Sequence, residues 1–196
     1  ATYITEESGK IIGNEEMIVI DPIDGTTNFI HGIPLVGIVI AKIINEEITD
    51  GVIYNPILDD FFWASKGKGS WCNNNRLRVS KRQDIIDCII GTGIPHMDRI
   101  YPQYLKEIDA ITKNCAGLRR MGAASIDLAY VAAGKLDAYW ERNLNIWDVS
   151  AGVLLVKEAG GRVSQPNGES WDIHSKDILV SNSNIHEIIQ EKLEII

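Results

Sequence analysis

The sequence has few cysteines, no long run of apolar residues and no long run of one charge. Its three cysteines (Cys72, Cys88 and Cys115) are widely spaced and form no CxxC pair, so we expect neither a disulfide framework nor a structural zinc site. No apolar stretch approaches the roughly 20 residues that span a membrane, and no charged segment followed by an apolar one opens the chain. These absences favour a cytoplasmic protein with no membrane partner.

Positive charge is also scarce. The 196 residues include 19 Lys and Arg against 27 Asp and Glu, which gives a net charge of -8. No basic run is long enough to follow a nucleic-acid backbone, so we expect no nucleic-acid partner. An acidic protein that acts on an anionic substrate needs cations at its site, because they offset the charge repulsion.

The hydrophobic pattern divides the chain into two parts. The first part contains short, mostly β-branched runs that predict a meander of antiparallel strands, at 17–20, 36–44, 48–54 and 61–64. The second part alternates predicted strands (85–90, 136–140 and 178–181) with predicted helices (101–114, 122–133, 149–159 and 185–196). We therefore predict an α+β fold with an antiparallel-strand meander subdomain, residues 1–83, followed by a mixed α/β subdomain, residues 84–196.

The most informative segment is the heptapeptide DPIDGTT, residues 21–27. Its two carboxylates, Asp21 and Asp24, follow an apolar strand and converge if the chain turns sharply between them. Pro22 helps such a turn, because its ring fixes φ and its nitrogen carries no hydrogen. The carbonyl of Ile23 would then face the same centre, and oxygen ligands of this kind are those that Mg²⁺ prefers.

The same heptapeptide suits a phosphate group, but it also suits a simple turn. Gly25 permits close backbone approach, and Thr26 would begin a helical turn whose N–H groups attract an anion. Alternatively, Asp-Gly between apolar residues is a common turn signal, and Asp24 would only cap a helix. A simple turn needs only one or two of these residues, so the complete heptapeptide favours the metal and phosphate interpretation.

Two further acidic segments are ambiguous by themselves. Asp148 precedes a helical pattern and would act either as an N-cap or as a metal ligand, since the small residues after it allow close approach. Glu6 and Glu7 form an acidic pair, which is most simply interpreted as a solvated surface loop. The histidines are scattered and are interpreted as surface or core residues: His31, His96, His174 and His186.

Together these segments resemble the inositol monophosphatase family of lithium-sensitive, Mg²⁺-dependent phosphatases. Residues 21–29 (DPIDGTTNF) match the first signature of the family, and Trp147-Asp148 with Ala151-Gly152 and residues 158–161 match the second. The resemblance implies a layered αβαβα sandwich, a homodimer, and hydrolysis of inositol monophosphate or a related polyol or sugar phosphate by metal-activated water. Fructose-1,6-bisphosphatase or another phosphomonoesterase of the same superfamily is the alternative.

The resemblance also implies a role for each matched residue, with two or three Mg²⁺ ions as cofactors. Glu6, Asp21 and the Ile23 carbonyl would hold the first ion, and Asp21, Asp24 and Asp148 the second. The residues implied as catalytic are Glu6, Thr26 and Asp24, with Glu6 helping to activate the attacking water and Thr26 orienting it. The residues implied to bind the substrate are Asp24, Gly25, Thr26, Ala124, Glu141 and Asp148.

The chain departs from the family pattern at its start and at one position of the site. It begins with Ala rather than Met, and family members carry several dozen residues before the position of Glu6. We therefore expect an N-terminally truncated chain, in which a third metal site is not assigned. Ala123 stands where Ser or Thr is common, which removes one hydroxyl near the substrate.

A protein-binding role is the second hypothesis, because some bacterial members of the family act on transcription through protein contacts. Arg119, Arg120, Met121 and Arg142 flank the predicted site and would form such a surface. A solvated helix edge or a dimer contact is the simpler interpretation of these arginines.

Overall fold

The structure is a computed structural model, and it describes residues 1–6, 9–11, 16–94 and 102–194. Five α-helices lie within these ranges: α1 (Thr26–Ile30), α2 (Pro102–Thr112), α3 (Ala124–Ala132), α4 (Ile146–Glu158) and α5 (His186–Glu194). The first eight strands are β1 (Thr2–Thr5), β2 (Gly9–Ile11), β3 (Glu16–Asp24), β4 (Gly37–Ile44), β5 (Glu47–Asn55), β6 (Asp60–Ser65), β7 (Gly69–Cys72) and β8 (Asn75–Arg76). The other five are β9 (Ile89–Thr92), β10 (Gly117–Arg119), β11 (Ala138–Glu141), β12 (Gly161–Ser164) and β13 (Ile178–Asn182).

The first eight strands form one sheet in the order β2-β1-β3-β4-β5-β6-β7-β8. From β3 to β8 each strand pairs antiparallel with the next one along the chain. Strands β3 to β6 confirm the predicted meander, and β7 and β8 extend it by two strands that the sequence did not predict. β4 shows why: its residues alternate between buried and more exposed positions, so that Val39, Ala41 and Ile43 share the buried face. β1 differs, because it pairs parallel with β3.

The last five strands form a second, mixed sheet in the order β10-β9-β11-β13-β12. Helices α3 and α4 pack against each other and contact strands of both sheets, whereas α2 and α5 contact each other and the second sheet. Eight of the nine residues of α3 and eight of the thirteen residues of α4 are buried, as expected of mainly apolar helices that lie between two sheets. The layers therefore follow the order first sheet, α3 with α4, second sheet, α2 with α5, and the predicted layered fold is confirmed.

One predicted strand is wrong in its bounds. Residues 85–90 were predicted to be extended, but Ile85–Asp87 form a 3₁₀ turn and strand β9 begins at Ile89. The strand begins where the carboxylate of the buried Asp137 accepts a hydrogen bond from the Ile89 N–H at 2.8 Å. An apolar run alone does not show this boundary, because the partner of Ile89 is distant in the sequence.

The division of the chain after residue 83 stays a prediction. The strands of the two sheets do come from the two predicted parts, but α4 lies in the second part and contacts β4, β5 and β6 of the first. None of the helices in the described ranges combines the length and the apolar character needed to cross a membrane.

His186 is fully buried at the start of α5 and lies between two serine hydroxyls. Its Nε2 is 2.9 Å from the Ser164 hydroxyl and its Nδ1 is 2.7 Å from the Ser181 hydroxyl. Burial lowers the pKa of this imidazole from 6.5 to about 4, because the charged form is poorly solvated there. The other described histidines have no such pair of partners. Of the two interpretations of the histidines, surface or core, His186 therefore fits the core one.

We expect His186 to make the free energy of unfolding depend on pH. Below pH 6.5 the imidazole takes up a proton in the unfolded chain but not in the folded chain. Its contribution to the free energy of unfolding therefore falls by about 3 kcal/mol as the pH drops to 4. Urea unfolding of wild type and His186→Gln in EDTA, between pH 7.5 and 4, should give a wild-type-minus-variant difference that decreases over this range. A constant difference would contradict the prediction.

Candidate active site

A β-bulge in β3 places Asp21 and Asp24 on the same face of the first sheet. Asp21 pairs with Val39 and Asp24 with Gly37, so β3 contains one residue more than β4 over this stretch. Residues three apart in a regular strand point to opposite faces, and one extra residue reverses that relation. The sharp turn that the sequence required between the two carboxylates is therefore this bulge.

The chain after the bulge is closed by its own polar groups. The Ile23 N–H donates to Asp21 Oδ1 at 3.0 Å, and the Thr26 hydroxyl donates to the Ile23 carbonyl at 3.0 Å. Gly25, at φ 82°, precedes the short helix α1 and provides no side-chain cap. Asp24 therefore does not cap the helix that follows it, because Gly25 holds that position and the Asp24 carboxylate accepts hydrogen bonds from the first turn of α3 instead.

The carboxylate of Asp24 is fixed by the first turn of α3. Asp24 Oδ2 accepts the Ser125 N–H at 2.7 Å and also the Ser125 hydroxyl. A Cβ at position 37 would lie 2.4 Å from the Ser125 Oγ, so the absence of a side chain at Gly37 is what lets Ser125 approach β4. This contact joins the bulge of the first sheet to the helix layer.

Asp148 lies in the first turn of α4, not before it. The helix begins at Ile146, and Asn145 occupies the N-cap position that we had considered for Asp148. The Asn145 N–H donates to Asp148 Oδ2 at 2.7 Å, which holds the carboxylate at the end of the helix. The N-cap interpretation of Asp148 is wrong by three residues, and the carboxylate instead faces the cavity described next.

All the residues that the sequence singled out as site residues line one open cavity of about 530 Å³. These are Glu6, Asp21, Ile23, Asp24, Gly25, Thr26, Ala124, Glu141 and Asp148. Glu7 and His96 lie outside the described residues. The structure thus brings together segments from β3, α3, β11 and α4, while the role of each residue stays a prediction.

Negative charge accumulates in this cavity. Burial, which is the largest cause, and the nearby Asp24 and Glu6 carboxylates together raise the pKa of Asp21 to about 8. Burial likewise raises the pKa of Asp148 to about 7, against the hydrogen bond from Asn145. Burial also raises the pKa of Asp24, although the Ser125 hydrogen bonds oppose this shift. Carboxylates that repel one another in this way are stabilised by a bound cation.

The oxygen ligands that line the cavity fit a hard divalent metal ion that keeps part of its water shell. In the described part of the chain, no three Asp, Glu, His or Cys side chains close on a single point. Mg²⁺ does not need such a cage, because it is commonly bound by one or two carboxylates together with water and substrate phosphate. Asp21, Asp24, Asp148 and the Ile23 carbonyl provide such a set.

Glu141 lines the cavity and lies against the backbone of Gly93. A Cβ at Gly93 would lie 1.9 Å from the Glu141 carboxyl, so only a glycine leaves room for that group. The hydroxyl of the fully buried Tyr139 donates to Glu141 Oε2. Burial raises the pKa of Glu141 to about 7, against this hydrogen bond.

The arginines near the site do not form a helix edge. Arg119 ends strand β10, and Arg120 lines the cavity. Arg142 is half-buried and pairs with the buried Glu107 at 2.6 Å and with Asp177 at 2.8 Å. Arg142 therefore does not belong to the predicted binding surface, because its guanidinium is paired within the fold and links α2 to the segment before α4.

The match to a known family decides the classification. The model of the inositol monophosphatase family matches residues 1–196. This chain belongs to that family. Its members are phosphatases and are generally metal-dependent, so the family and the fold class predicted from the sequence are both confirmed.

Individual relatives carry two kinds of name. The chain is 45% identical over 197 residues to an inositol-1-monophosphatase of Caulobacter vibrioides, covering 97% of this chain and 77% of the relative. It is 39% identical over 196 residues to the Nus factor SuhB of Pasteurella multocida, covering 98% and 73%. The crystal structure of the extragenic suppressor protein suhB from Bartonella henselae superposes with a TM-score of 0.95 at 44% identity, covering 98% of this chain and 76% of that one.

Sequence reasoning missed two residues that support the site. Asn28 follows the heptapeptide, and its amide donates to the carbonyls of Leu35 and Met121 at 2.8 Å each, which anchors α1 to the loop before α3. Ser125 holds Asp24 as described. The only signal for either was a polar residue next to glycine-rich turns, and their partners lie far away in the sequence.

Proposed function

We propose that this chain carries the active site of a Mg²⁺-dependent phosphomonoesterase. Its substrate is inositol monophosphate or a related polyol or sugar phosphate, which is hydrolysed to the alcohol and inorganic phosphate. The observation that carries the proposal is the bulge that directs Asp21 and Asp24 into one cavity with Asp148. The names of the inositol-1-monophosphatase relatives support the choice of substrate class.

When bound, the ions supply a more acidic water and offset the charge of the phosphoryl group. The residues of the chain then fix the geometry. Asp24 cannot rotate freely, because two donors of Ser125 hold one of its oxygens. The hydrogen of the Thr26 hydroxyl is used on the Ile23 carbonyl, so its oxygen is left to accept a hydrogen bond from the attacking water and orient it. Glu6 lies in the same cavity and would help to remove the one proton that this water loses as it attacks, which leaves the solution to supply a proton to the departing alcohol oxygen.

The alcohol end of the cavity favours a substrate with several hydroxyl groups. Glu141 and Asp148 offer carboxylate oxygens there, which accept hydrogen bonds from hydroxyls and would remain unpaired beside an apolar alcohol. Gly25 and Thr26 would contact the phosphate, and Ala124 would pack against the alcohol.

A metal-dependence assay on the full-length protein tests this function. We expect release of phosphate from inositol 1-phosphate with Mg²⁺, its loss in excess EDTA, and its recovery when Mg²⁺ is restored. Fructose 1,6-bisphosphate and other phosphate esters in the same panel would identify the alternative substrates. Turnover that persists without metal, or no turnover of any polyol phosphate, contradicts the proposal.

A second candidate is a transcription-related binding role, and the observation that favours it is the similarity to proteins named Nus factor SuhB. Arg119 and Arg120 remain exposed and would belong to such a surface. Asp148→Asn separates the two functions. If the variant loses hydrolysis but still binds its protein partner, the wild-type protein has both functions. On the family resemblance we also propose that the protein is cytoplasmic and forms a homodimer. Light scattering of the full-length protein tests the oligomeric state.

A further inference from the structure

Asp127 is a buried carboxylic acid that no role described above explains. It lies in the first half of α3, is 1% exposed, and borders the cavity near Glu141. Its Oδ1 has no hydrogen-bond partner, and among the described residues only one other buried side-chain oxygen, that of Ser70, shares this condition. A buried polar atom without a partner costs about 1–3 kcal/mol, so its retention beside a cavity points to a function.

The backbone of strand β9 makes room for this acid. A Cβ at Gly91 would lie 2.8 Å from Asp127 Oδ1 and 3.3 Å from the Tyr139 ring. Gly93, two residues further, leaves room for the Glu141 carboxyl in the same way. Residues two apart along an extended chain face the same side, so Asp127 and Glu141 lie against one bare face of this segment. Tyr139 lies beside Asp127 and donates its hydroxyl to Glu141.

The charges around Asp127 agree with this arrangement. Burial raises the pKa of Asp127 well above its usual value, and among the neighbouring charges Glu141 contributes most to that rise. Asp24 adds to it, and the Arg120 guanidinium opposes it. A raised pKa favours the protonated carboxyl, which can donate a hydrogen bond to a neighbouring carboxylate oxygen.

We propose that Asp127 is a positioning residue, which together with Tyr139 holds the Glu141 carboxylate so that it faces the hydroxyl groups of the substrate alcohol. Tyr139 fixes one side of Glu141 and Asp127 supports it from the helix layer. Asp127 borders the cavity but is only 1% exposed, so we assign it a role through Glu141 and not a direct contact with the substrate. This inference rests on the proposed phosphatase function and makes the selectivity for polyol phosphates depend on a residue outside the matched signatures.

The test compares two substrates in the full-length enzyme with Mg²⁺. Inositol 1-phosphate presents hydroxyl groups to Glu141, whereas 4-nitrophenyl phosphate presents none. We expect Asp127→Leu to raise KM for inositol 1-phosphate about tenfold and to leave KM for 4-nitrophenyl phosphate within about twofold. Asp127→Asn keeps a donor at this position and should stay within about threefold of wild type for both substrates.

A double-mutant cycle shows whether Asp127 acts through Glu141. In a Glu141→Gln background, Asp127→Leu should change KM for inositol 1-phosphate by less than about twofold, since the group that it positions has already been replaced. Ser70→Ala removes the other unpartnered buried oxygen, far along the chain in β7, and is the matched control, with both KM values unchanged. If Asp127→Leu does not fold, Asp127→Ala takes its place in the same cycle.

The outcomes separate this inference from the proposed function. Wild-type protein that hydrolyses neither ester with Mg²⁺ overturns the phosphatase assignment and the inference with it. Wild-type activity together with equal effects of Asp127→Leu on both substrates, or full additivity with Glu141→Gln, overturns the positioning role alone. A selective effect that disappears in the Glu141→Gln background supports it.

Discussion

Asp24→Asn is expected to lower kcat/KM of the full-length enzyme for inositol 1-phosphate by about a thousandfold or more. Both the N–H and the hydroxyl of Ser125 donate to Asp24 Oδ2. An asparagine at this position must direct its carbonyl oxygen to these two donors, which turns its NH₂ group toward the proposed cation. The substitution therefore replaces an anionic ligand with a donor that repels the ion, while the contact with α3 is retained.

Initial rates at saturating Mg²⁺, with thermal unfolding of the same samples, check this prediction. Asp109→Asn is the matched control, because it removes an exposed carboxylate of α2 that pairs with Lys113 on the surface. We expect the control to keep its rate within about twofold and both variants to unfold near the wild-type temperature. A folded Asp24→Asn enzyme with a rate within tenfold of wild type would show that Asp24 is not a ligand.

Gly152→Ala is expected to lower the free energy of unfolding by about 2–3 kcal/mol. A Cβ at this position of α4 would lie 2.5 Å from both Cβ and Cδ1 of Leu128 in α3, and the Cβ of Leu128 cannot move away by rotation of its side chain. In an exposed helix the same change would stabilise by about 1 kcal/mol, so the sign of the effect reports the close packing of the two helices.

Urea unfolding of wild type and Gly152→Ala measures this change in the free energy of unfolding. Lys157→Ala is the control: it introduces alanine on the exposed side of the same helix and should change the free energy by less than about 1 kcal/mol. An unchanged or more stable Gly152→Ala protein would contradict the packing. The contact matters for the site, because α4 carries Asp148 and α3 carries Ser125.

The segments with local signals were predictable. The meander from β3 to β6 follows from mostly β-branched runs and short turns, and α4 follows from a continuous apolar pattern. The heptapeptide at residues 21–27 could be recognised because its chemistry is contained in seven neighbouring residues. Its convergence with Asp148 was implied by the family signatures, and the cavity now contains both.

The errors share one cause. The start of β9, the N-cap of α4 and the pairing of Arg142 depend on partners that are distant in the sequence or on cap geometry: Asp137, Asn145 and Glu107. The same is true of the supports that were missed. No pattern within a short window reports that Ser125 fixes Asp24, or that Gly93 leaves room for Glu141.

The sequence by itself determined the family and the layered fold class and supplied the candidate site residues, because these depend on residue type and local order. Only the tertiary structure decided how Asp21 and Asp24 share a face, what holds each carboxylate, and that Asp127, with one unpartnered oxygen, borders the same cavity as Glu141. The physical reason is that a carboxylate functions through its orientation. Orientation is set by a bulge, by helix ends and by bare glycine backbone, which meet only when the two sheets pack on α3 and α4.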